Sequence, residues 1–371
     1  MIGSKNSQET VNKVIKENLC VFCGACVGTC PYFISFNGRI VVRDVCAMTQ
    51  GRCSSFCPRI SLDLEKLNQA VYQRPYSWQR IGAAKTVLMA RSTDKGIKAR
   101  AQDAGTVTTL LCFAKEEGFI DSAVLTHFED KASPKGMAAS TRDEILACAG
   151  SSYVATPILE TFNRVVRNPE HEKVGVVGTP CHTLALAKMK TAEIDGENPS
   201  DKLRLVIGLF CTWSLSCSDF GHFIEQEISD PVVKYDIPPH PANVLSVYTK
   251  KNRIDIPLDK ILPFVRPACR FCHDLTSEFA DISVGSGRGE VSDWNTVIVR
   301  TPIGLEIMEG AERKGLIETR EMPKENLSRL ETASYNKKKK ALKNIIQKTG
   351  HKDDLLYLEV QTESVEELLE E

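Results

Sequence analysis

The sequence predicts a protein of the α+β/α/β class in three parts: a small cysteine-rich module, an α/β core built on a mixed sheet, and a helical tail. Seven of the 14 cysteines lie between residues 20 and 57, which sets the N-terminal part apart. From Lys85 onward, short apolar runs alternate with helical patterns, as in a sheet covered by helices. A length of 371 residues favours two or three domains. We place the module in residues 1–80, the core in residues 81–330 and the tail in residues 331–371.

The cysteine-rich module opens with four closely spaced cysteines and a proline. Cys20, Cys23, Cys26 and Cys30 follow the spacing Cys-x-x-Cys-x-x-Cys-x-x-x-Cys, and Pro31 comes next. This is the spacing of bacterial ferredoxins, in which three thiolates bind one iron-sulfur cube and the fourth binds a second cube. Zinc ribbons use paired clips instead, and disulfides are rare in reducing compartments. The sequence therefore predicts a ferredoxin-like iron-sulfur module.

The second half of the cysteine motif is incomplete. Cys46, Cys53 and Cys57 repeat the ending of the first half, but Gln50 stands where a middle cysteine is expected. The second site then holds a three-iron cluster, a four-iron cluster with another fourth ligand, or no cluster, and we favour the four-iron cluster. Pairing the halves as in two-cluster ferredoxins assigns Cys20, Cys23, Cys26 and Cys57 to the first cluster and Cys30, Cys46 and Cys53 to the second.

Two connecting segments complete the module. The run ISFNGRIVV between the cysteine halves predicts a β-hairpin with an Asn37-Gly38 turn. Gly24 suits a loop whose backbone approaches inorganic sulfide closely. Residues 61–78 are expected to be a tether leading to the core.

The core is predicted as an alternating series, and the tail as two charged helices. The lysines at residues 337–340 and the acidic C-terminal end are expected to form solvated helix faces. Strands are predicted at residues 86–90, 122–128, 173–178, 203–211, 280–286 and 295–301, with a hairpin at residues 243–258. Helices are predicted at residues 95–117, 157–168, 183–190, 219–228 and 302–314.

A second set of cysteines lies in loops of the predicted core. Cys181 and Cys211 end successive buried strands, and the carboxyl ends of neighbouring parallel strands converge on one crevice. The pair Cys269 and Cys272 could complete a four-thiolate site, and Cys217 is an alternative to Cys211. The competing interpretation is a set of buried small residues or a redox dithiol. Cys112 and Cys148 fall in helical patterns and are expected to be core residues.

Composition excludes several classes of function. A formal net charge of −1 gives no electrostatic attraction to nucleic acid or to an anionic membrane. No apolar run approaches the roughly 20 residues that span a bilayer, and the N-terminal segment lacks the apolar core of a signal peptide. We expect a cytoplasmic protein that neither binds nucleic acid nor spans a membrane.

Six separate blocks of the core resemble one family. They are ARSTDKGIKARAQDAGTVTTLL, AGSSYV, VGTPCH, GLFCT, RPACRFCHDLTSEFADISVG and DWNTVIVRT, in this order from about residue 90 to residue 320. The chain resembles the coenzyme F420 hydrogenase/dehydrogenase β-subunit family. This resemblance implies an FAD-binding flavoprotein core with a 4Fe-4S cluster, which passes a hydride to or from the deazaflavin F420. A ferredoxin-like module ahead of the core also occurs in such proteins.

The resemblance carries site residues onto this chain. The family's core cysteines match Cys181, Cys211, Cys269 and Cys272. Three departures from the usual family pattern, at Ala104-Gly105, His182 and Ser292-Asp293-Trp294, fall near the expected flavin or substrate pocket and leave the acceptor open. The flavin is expected against Gln102, Asp103, Gly105, Thr106, Gly150, Ser151, Tyr153, Thr179 and Pro180.

These residues suggest an electron route between a partner enzyme and a hydride carrier. Two or three 4Fe-4S clusters would carry single electrons, and FAD would connect them to hydride chemistry. His182 is the candidate for proton relay, with a hydrogen-bonding role beside Cys181 as the alternative. Arg266, Arg270 and Arg288 are candidates to bind an anionic coenzyme. Expected partners are subunits of a formate dehydrogenase, hydrogenase or similar enzyme, or ferredoxin. The alternative function is an electron-transfer adaptor without F420 chemistry.

Overall fold

The computed structural model describes residues 7–44, 46, 48, 50–78, 80–128, 134–194, 196–238, 241–287, 291, 293–360 and 362–370. The hairpin predicted in the N-terminal part is confirmed, because Asn37 and Gly38 have φ of 45° and 72°, the left-handed pair that a two-residue turn requires. The N-terminal elements are α1 (Ser7–Thr10), a π-helical turn (Val11–Ile15), β1 (Phe33–Phe36), β2 (Arg39–Val42), α2 (Arg52–Ser55) and α3 (Leu64–Tyr72).

The segment expected to be a tether is a packed helix instead. The Asp63 carboxylate caps α3 by accepting from the Lys66 N–H at 2.9 Å. Leu64 and Leu67 are buried against apolar side chains of the core and the C-terminal tail. Leu62 also exchanges backbone hydrogen bonds with the segment around residue 358. A pattern read within 18 residues cannot show that distant partners will bury these leucines.

The remaining elements follow the predicted alternation. The strands are β3 (Thr86–Ser92), β4 (Ser122–His127), β5 (Lys135–Ala139), β6 (Val174–Gly178), β7 (Leu203–Leu209), β8 (Val232–Asp236), β9 (Val244–Thr249), β10 (Arg253–Pro257), β11 (Ile282–Ser286), β12 (Asn295–Val299) and β13 (Ile317–Glu321). The helices are α4 (Lys95–Arg100), α5 (Thr106–Glu116), α6 (Arg142–Ala147), α7 (Ile158–Val165), α8 (Pro180–Thr191), α9 (Cys217–Glu227), α10 (Leu258–Ile261), α11 (Pro302–Arg313), α12 (Lys324–Thr349) and α13 (Thr362–Glu370), with short 3₁₀ turns at Pro199–Lys202, Leu262–Phe264 and Pro267–Phe271.

Eight strands form one mixed sheet in the order β13-β3-β12-β11-β7-β6-β4-β5. The strands β11, β7, β6 and β4 are mutually parallel, whereas β12, β13 and β5 are antiparallel to their neighbours. The carboxyl ends of β6 and β7 therefore lie side by side. In an open sheet of this kind, the loops at that edge form the ligand-binding crevice.

The helix predicted over residues 95–117 is two helices. Between α4 and α5 the chain leaves the helical conformation, with Ala101 extended and Gly105 at φ 78°. Any side chain at Gly105 would also come within 2.9 Å of Ile97 Cγ2. The interruption turns the segment at Gln102 and Asp103 out of the helix and towards the edge of the sheet that carries the cysteine loops.

Each face of the sheet is covered by helices. On one face, α5, α6 and α11 bury Phe113, Ile145 and Met308. On the other, α7 and α8 share one apolar cluster with Val21, Cys23 and Phe56 of the N-terminal part. The cysteine-rich module thus shares its apolar core with the sheet.

The β-rich segment after residue 230 forms a separate three-stranded antiparallel sheet, in the order β10-β9-β8. The hairpin predicted at residues 243–258 is confirmed as β9 and β10, whereas β8 is an additional strand. The apolar face of this sheet packs on α9. By contrast, β5 was not predicted. Its sequence Lys-Gly-Met-Ala-Ala has little β-propensity, and pairing with β4 at the sheet edge holds it in place.

The helical tail is confirmed, but its basic run is not a solvated face. Lys338 is 0% exposed on α12 and forms a 2.8 Å ion pair with Glu278, whose side chain is 1% exposed. Its ammonium also donates to the Arg80 carbonyl at 2.7 Å. Lys337 points inwards too, towards Cys211, whereas Lys340 is exposed. Tertiary packing therefore divides a uniform lysine run into buried and solvated positions.

Removing the buried ammonium of Lys338 should destabilise the fold, because Glu278 would remain buried without its partner. We expect Lys338→Met to lower the free energy of unfolding by about 3–5 kcal/mol. Urea denaturation at pH 7 measures this value. Lys340→Met, on the exposed side of the same helix, should change it by no more than about 0.5 kcal/mol. Equal effects of the two substitutions would contradict the buried ion pair.

Candidate functional site

The first N-terminal thiol group surrounds a cavity. Cys26 is half-buried. Loss of solvent around its thiol, followed by the neighbouring thiols of Cys20, Cys23 and Cys57, raises its pKa well above the usual value. The same four residues line one pocket, together with Val14, Ile15, Val21, Phe22 and Ile40. The structure thus brings together the four cysteines predicted to share a cluster, across both halves of the motif.

Backbone N–H groups point at the sulfur atoms of this group. Burial raises the pKa of the Cys20 and Cys23 thiols, and the backbone N–H groups of Phe22 and Ala25, respectively, lower it. Phe22 has a φ of 59°, a left-handed conformation that is strained for a bulky residue. Such strain is typical of sites where function fixes the backbone, and inward N–H groups favour negative charge on sulfur.

Gly24 has a second role that the sequence did not show. Its φ is 84°, and a Cβ there would lie 2.7 Å from both the Pro157 carbonyl oxygen and the Glu160 nitrogen at the start of α7. Next to it, the Cys23 carbonyl accepts from the Leu159 N–H at 3.1 Å. The Asn163 amide donates to the carbonyls of the same loop, at 2.7 Å for residue 27. The cysteine loop therefore lies directly on α7.

The second N-terminal group contains three thiols. Burial raises the pKa of Cys53, a Thr10 hydrogen bond lowers it, and the thiols of Cys30 and Cys46 raise it further. Ser7 Oγ accepts from the Cys46 N–H at 3.2 Å. The three predicted cysteines are together, with hydroxyl groups of α1 beside them. Gln50, in the place of a fourth cysteine, is exposed.

The core group assembles from three distant segments. Cys181 begins α8 after β6, Cys211 follows β7, and the 3₁₀ turn Pro267–Phe271 carries Cys269 and leads into Cys272. Burial raises the pKa of Cys211 to about 12, against the lowering effect of Lys337, and the other three thiols raise it too. Burial likewise raises the pKa of Cys181 to about 11. All four predicted core cysteines are neighbours.

The alternative ligand Cys217 lies elsewhere, at the start of α9. It packs in the apolar cluster of the three-stranded sheet, with its Cβ close to Gly38 of the hairpin. Cys112 and Cys148 are buried in the main core, as predicted.

The three thiol groups form a continuous series. Cys23 of the first group and Cys181 of the core group pack in the same apolar cluster. Cys20 and Cys26 of the first group pack with Cys30 and Cys53 of the second group in another cluster. The first group therefore lies between the other two.

The thiols in the described ranges are neither joined as disulfides nor gathered around a single point. All 14 cysteines have free thiols. In the described ranges, no three His, Cys, Asp or Glu side chains converge on one point as ligands of a single metal ion. A zinc ion needs four sulfurs at about 2.3 Å from one centre, whereas the thiolates of a cube bind separate irons.

Three of the residues expected to contact the flavin, Gln102, Asp103 and Tyr153, lie near the end of β8. The Gln102 amide donates to the Asp236 carboxylate, and Ser286 donates to the Asp103 carboxylate at 2.6 Å. Burial raises the pKa of Asp103, Ser286 lowers it, and Asp236 raises it. The Tyr153 hydroxyl accepts from the N–H of residue 237 at 3.1 Å. The loops after β3 and β11 and the segment before α7 thus meet at one place.

The other expected flavin contacts divide into two sets. Thr106 is fully buried, and its hydroxyl donates to the Ala90 carbonyl at 3.1 Å, so it supports the fold. Thr179 and Pro180 begin α8 beside Cys181, with the Thr179 hydroxyl 3.3 Å from the Cys181 sulfur. Gly105 caps α5, and Gly150 and Ser151 lie in the loop between α6 and α7.

His182 is fully engaged by its neighbours. Its Nδ1 accepts from the Thr179 N–H at 3.1 Å, so Nε2 carries the proton and donates to the Thr156 carbonyl at 3.0 Å. Burial lowers its pKa to about 4, which makes the ring neutral near pH 7. This geometry favours the hydrogen-bonding role that the sequence also allowed.

The arginines expected to bind an anionic coenzyme have different positions. Arg266 donates to the carbonyls of Gly38 at 3.0 Å and Cys20 at 3.1 Å, and so ties the hairpin and the cysteine loop to the core. Arg270 is exposed, and Arg288 lies outside the described residues. Sequence reasoning missed two other cations, the buried Arg59 and the half-buried Lys337, which lie against the cysteine-bearing loops.

Comparison with known proteins agrees with this geometry. The family described as coenzyme F420 hydrogenase/dehydrogenase, beta subunit, matches through its N-terminal part over residues 87–163 and its C-terminal part over residues 171–325. The coenzyme F420 hydrogenase subunit beta of Methanothermobacter thermautotrophicus is 35% identical over 271 residues, or 71% of this chain and 95% of that protein. The chain belongs to the coenzyme F420 hydrogenase/dehydrogenase beta-subunit family.

Further members of this family extend the comparison. The coenzyme F420-dependent sulfite reductase of Methanocaldococcus jannaschii is 26% identical over 333 residues, or 85% of this chain and 49% of that protein. A chain in the structure of the F420-reducing [NiFe] hydrogenase complex from Methanosarcina barkeri superposes with a TM-score of 0.66 at 32% identity, over 72% of this chain and 93% of that one. As a member of a family of hydrogenase and dehydrogenase subunits, the chain is an oxidoreductase. The cysteines at residues 20–57 precede both family matches.

One departure from the usual family pattern has a structural account. Trp294 lies between two guanidinium groups, those of Arg91 and Arg320, at 4.4 and 4.3 Å from the ring centroid. Asp293 pairs with Arg91 at 2.9 Å. Ser292 lies outside the described residues.

A hydrophobic helix of bilayer-spanning length does not occur in the described ranges of the chain.

Substitutions of His182 distinguish two roles of the ring: holding neighbouring backbone groups by hydrogen bonds, and relaying a proton. Glutamine can accept from the Thr179 N–H and donate to the Thr156 carbonyl, so His182→Gln should retain stability. His182→Ala should lower the free energy of unfolding by about 1–3 kcal/mol, because both buried backbone groups lose a partner. Chemical denaturation measures both, with the exposed His222→Gln as control. A His182→Gln protein with normal stability and cofactors but no hydride transfer would instead support proton relay.

Proposed function

We propose that this chain is an iron-sulfur flavoprotein subunit that passes electrons between a partner redox enzyme and a soluble hydride carrier, most simply coenzyme F420. The observation that carries this proposal is the series of three adjacent thiol groups ending at the carboxyl edge of the sheet. Membership of a family of F420 hydrogenase and dehydrogenase subunits supports it.

The first and core groups have the donors that a 4Fe-4S cluster requires. Each supplies four thiols that are neighbours without being disulfide-bonded. Cys20, Cys23, Cys26 and Cys57 also line one pocket, to which both halves of the motif contribute. In the second group, Cys30, Cys46 and Cys53 would hold a four-iron cluster whose remaining ligand is not a cysteine. The oxygens of α1 make a non-sulfur ligand chemically reasonable there.

FAD would lie at the edge of the sheet, near Gln102, Asp103 and Tyr153. Gln102 Oε1 is buried and has no hydrogen-bond partner in the described part of the chain, so an acceptor is available for a ligand N–H. Thr179 and Pro180 would place the flavin beside the core cysteines, with Gly105, Gly150 and Ser151 allowing close approach. Thr106 would act indirectly, by holding the start of α5. Bound FAD would connect single-electron transfer with hydride transfer.

The proposed function also includes a domain organisation for the chain and a class of partner proteins. We retain the division into an iron-sulfur module at residues 1–80, a flavoprotein core at residues 81–330 and a tail at residues 331–371. Relatives named as subunits of hydrogenase and dehydrogenase complexes make redox subunits the expected partners.

A second candidate function is an electron-transfer adaptor that links a catalytic partner to ferredoxin or another acceptor, without F420 chemistry. It is favoured by the departures from the family pattern near the expected pocket. In particular, His182 has no ring nitrogen left for a substrate.

Anaerobic mixing of cofactor-loaded protein with reduced F420 separates the two functions. We expect the flavin absorbance to bleach, because the hydride carrier would reduce FAD. A flavin spectrum that stays oxidised, in protein that dithionite does bleach, would contradict F420 chemistry and support the adaptor.

Iron and acid-labile sulfide content tests the core group. Cys211→Ser should lower both by one cluster per chain, because Cys211 lies among the other three core thiols. Cys217→Ser is the matched control and should leave both unchanged, since Cys217 packs in another cluster of side chains. The wild-type values also show whether two or three clusters are bound. Equal losses in the two variants would contradict the assignment.

A further inference from the structure

Two cations from opposite ends of the chain meet at the core thiol group, Arg59 buried and Lys337 half-buried. Arg59 comes from the N-terminal part, two residues after Cys57, and is 4% exposed. Lys337 comes from α12, near the C-terminus. Neither residue belongs to the blocks that resemble the family, and neither is a thiol ligand.

Arg59 holds the loop that carries two of the core cysteines. Its guanidinium donates to the Phe271 carbonyl at 3.0 Å and the Ala268 carbonyl at 3.2 Å. These residues immediately precede Cys272 and Cys269. The ring of Tyr357 lies 4.4 Å from the guanidinium carbon, and the Tyr357 hydroxyl donates to the same Phe271 carbonyl at 2.6 Å. The guanidinium is therefore fixed in one orientation by several partners.

Lys337 holds the other side of the group. Its ammonium donates to the Cys211 carbonyl at 2.5 Å and to the Asp274 carbonyl at 2.7 Å. Burial lowers the pKa of Lys337, but the thiols of Cys272 and Cys211 raise it, and the net direction is upward. The lysine is thus charged when the thiols around it carry negative charge.

Neither cation has a carboxylate partner. Among the described residues, no Asp or Glu oxygen lies within 4.0 Å of the Arg59 guanidinium or the Lys337 ammonium, although Lys338, one residue on, is paired with Glu278. A buried charge without a counter-ion is costly. The direct partners of both cations are backbone carbonyls, an aromatic ring and the thiol group, and the buried Asp274 carboxylate is a more distant counter-charge of Lys337. An anionic occupant of the thiol group would therefore compensate both cations at close range.

We propose that Arg59 and Lys337 are positioning residues, two fixed cations that flank the core thiol group and raise the reduction potential of the cluster bound there. The inference rests on the proposed function, since it requires a cluster at Cys181, Cys211, Cys269 and Cys272. Reduction adds one electron and no proton, so the group becomes more negative by one charge. A nearby cation in a low-dielectric site stabilises the reduced form more than the oxidised form.

The two cations differ in the groups that they face. Arg59 lies between the first group and the core group, because it follows Cys57 by two residues and bonds the carbonyls that precede Cys269 and Cys272. The carbonyls that Lys337 bonds, those of Cys211 and Asp274, both belong to segments of the core group. Neutralising Arg59 should therefore affect two clusters, and neutralising Lys337 only one.

The test is a redox titration of the cofactor-loaded full-length protein, with each cluster followed by electron paramagnetic resonance. Lys337→Gln keeps a hydrogen-bond donor and removes the charge. At a fixed applied potential, it should lower the ratio of reduced to oxidised core cluster at least tenfold. For a one-electron couple, this corresponds to a reduction potential that is about 59 mV more negative. Lys337→Arg should restore the wild-type value. Lys340→Gln, on the exposed side of α12, is the matched control and should match the wild type.

If Lys337→Gln binds less iron than the wild type, Arg59→Gln supplies an independent measurement. It should shift the core and first N-terminal clusters in the same direction, and Arg59→Lys should shift them less. Neutral variants that hold the core cluster at its wild-type potential would overturn the inference. So would loss of core iron in the neutral and the charge-conserving variants alike, which would indicate a packing role only. A wild-type protein without a core cluster would instead contradict the proposed function itself.

Discussion

The arrangement depends on gathering sulfur atoms from separated parts of the chain into a buried space. The parallel pairing of β6 with β7 brings Cys181 and Cys211 to the same edge of the sheet, and the 3₁₀ turn Pro267–Phe271 adds the other two thiols. Burial raises the pKa of each described member of this group for which a shift is resolved. Four neighbouring thiolates away from water would be unfavourable unless positive charge compensates them. Both the module and the tail contribute to that compensation.

The cysteine-rich module is joined to the sheet by specific backbone contacts. Gly24 allows the first loop to lie against the start of α7, and Asn163 bonds the carbonyls of that loop. Arg266 ties both the loop and the hairpin to the segment before the core turn. These contacts place Cys23 next to Cys181. Distance controls electron transfer, so such fixed docking suits a relay better than a flexible tether would.

The C-terminal tail contributes to the site although it lies beyond the family match, which ends at residue 325. Lys337 and Tyr357 bond the carbonyls of the cysteine-bearing segments, and Asn344 bonds the Arg270 carbonyl at 2.7 Å. The buried pair of Lys338 and Glu278 anchors the same helix. The core shared with the hydrogenase beta subunits is thus enclosed here by residues from both ends of the chain.

Local patterns in the sequence were sufficient for several parts of the structure. Motif spacing grouped the N-terminal cysteines across the two halves, and strand-helix alternation gave the main sheet strands except β5 and β13. The Asn37-Gly38 pair gave the hairpin, because its left-handed backbone conformation is a local property. The core cysteines followed from the rule that loops converge at the carboxyl edge of a sheet, together with the family resemblance.

Tertiary structure decided the features that depend on residues far apart in the sequence. The break at Gly105, the burial of α3 and the split of the lysine run all depend on partners more than 80 residues away or on the packing of a neighbouring helix. The same holds for His182, whose role is fixed by carbonyl and N–H groups that only the fold brings to its ring. The sequence did not single out Arg59 and Lys337, because the role of a cation depends on the charges that the fold places around it. The sequence determined which atoms could bind iron, and the fold determined which charges surround them.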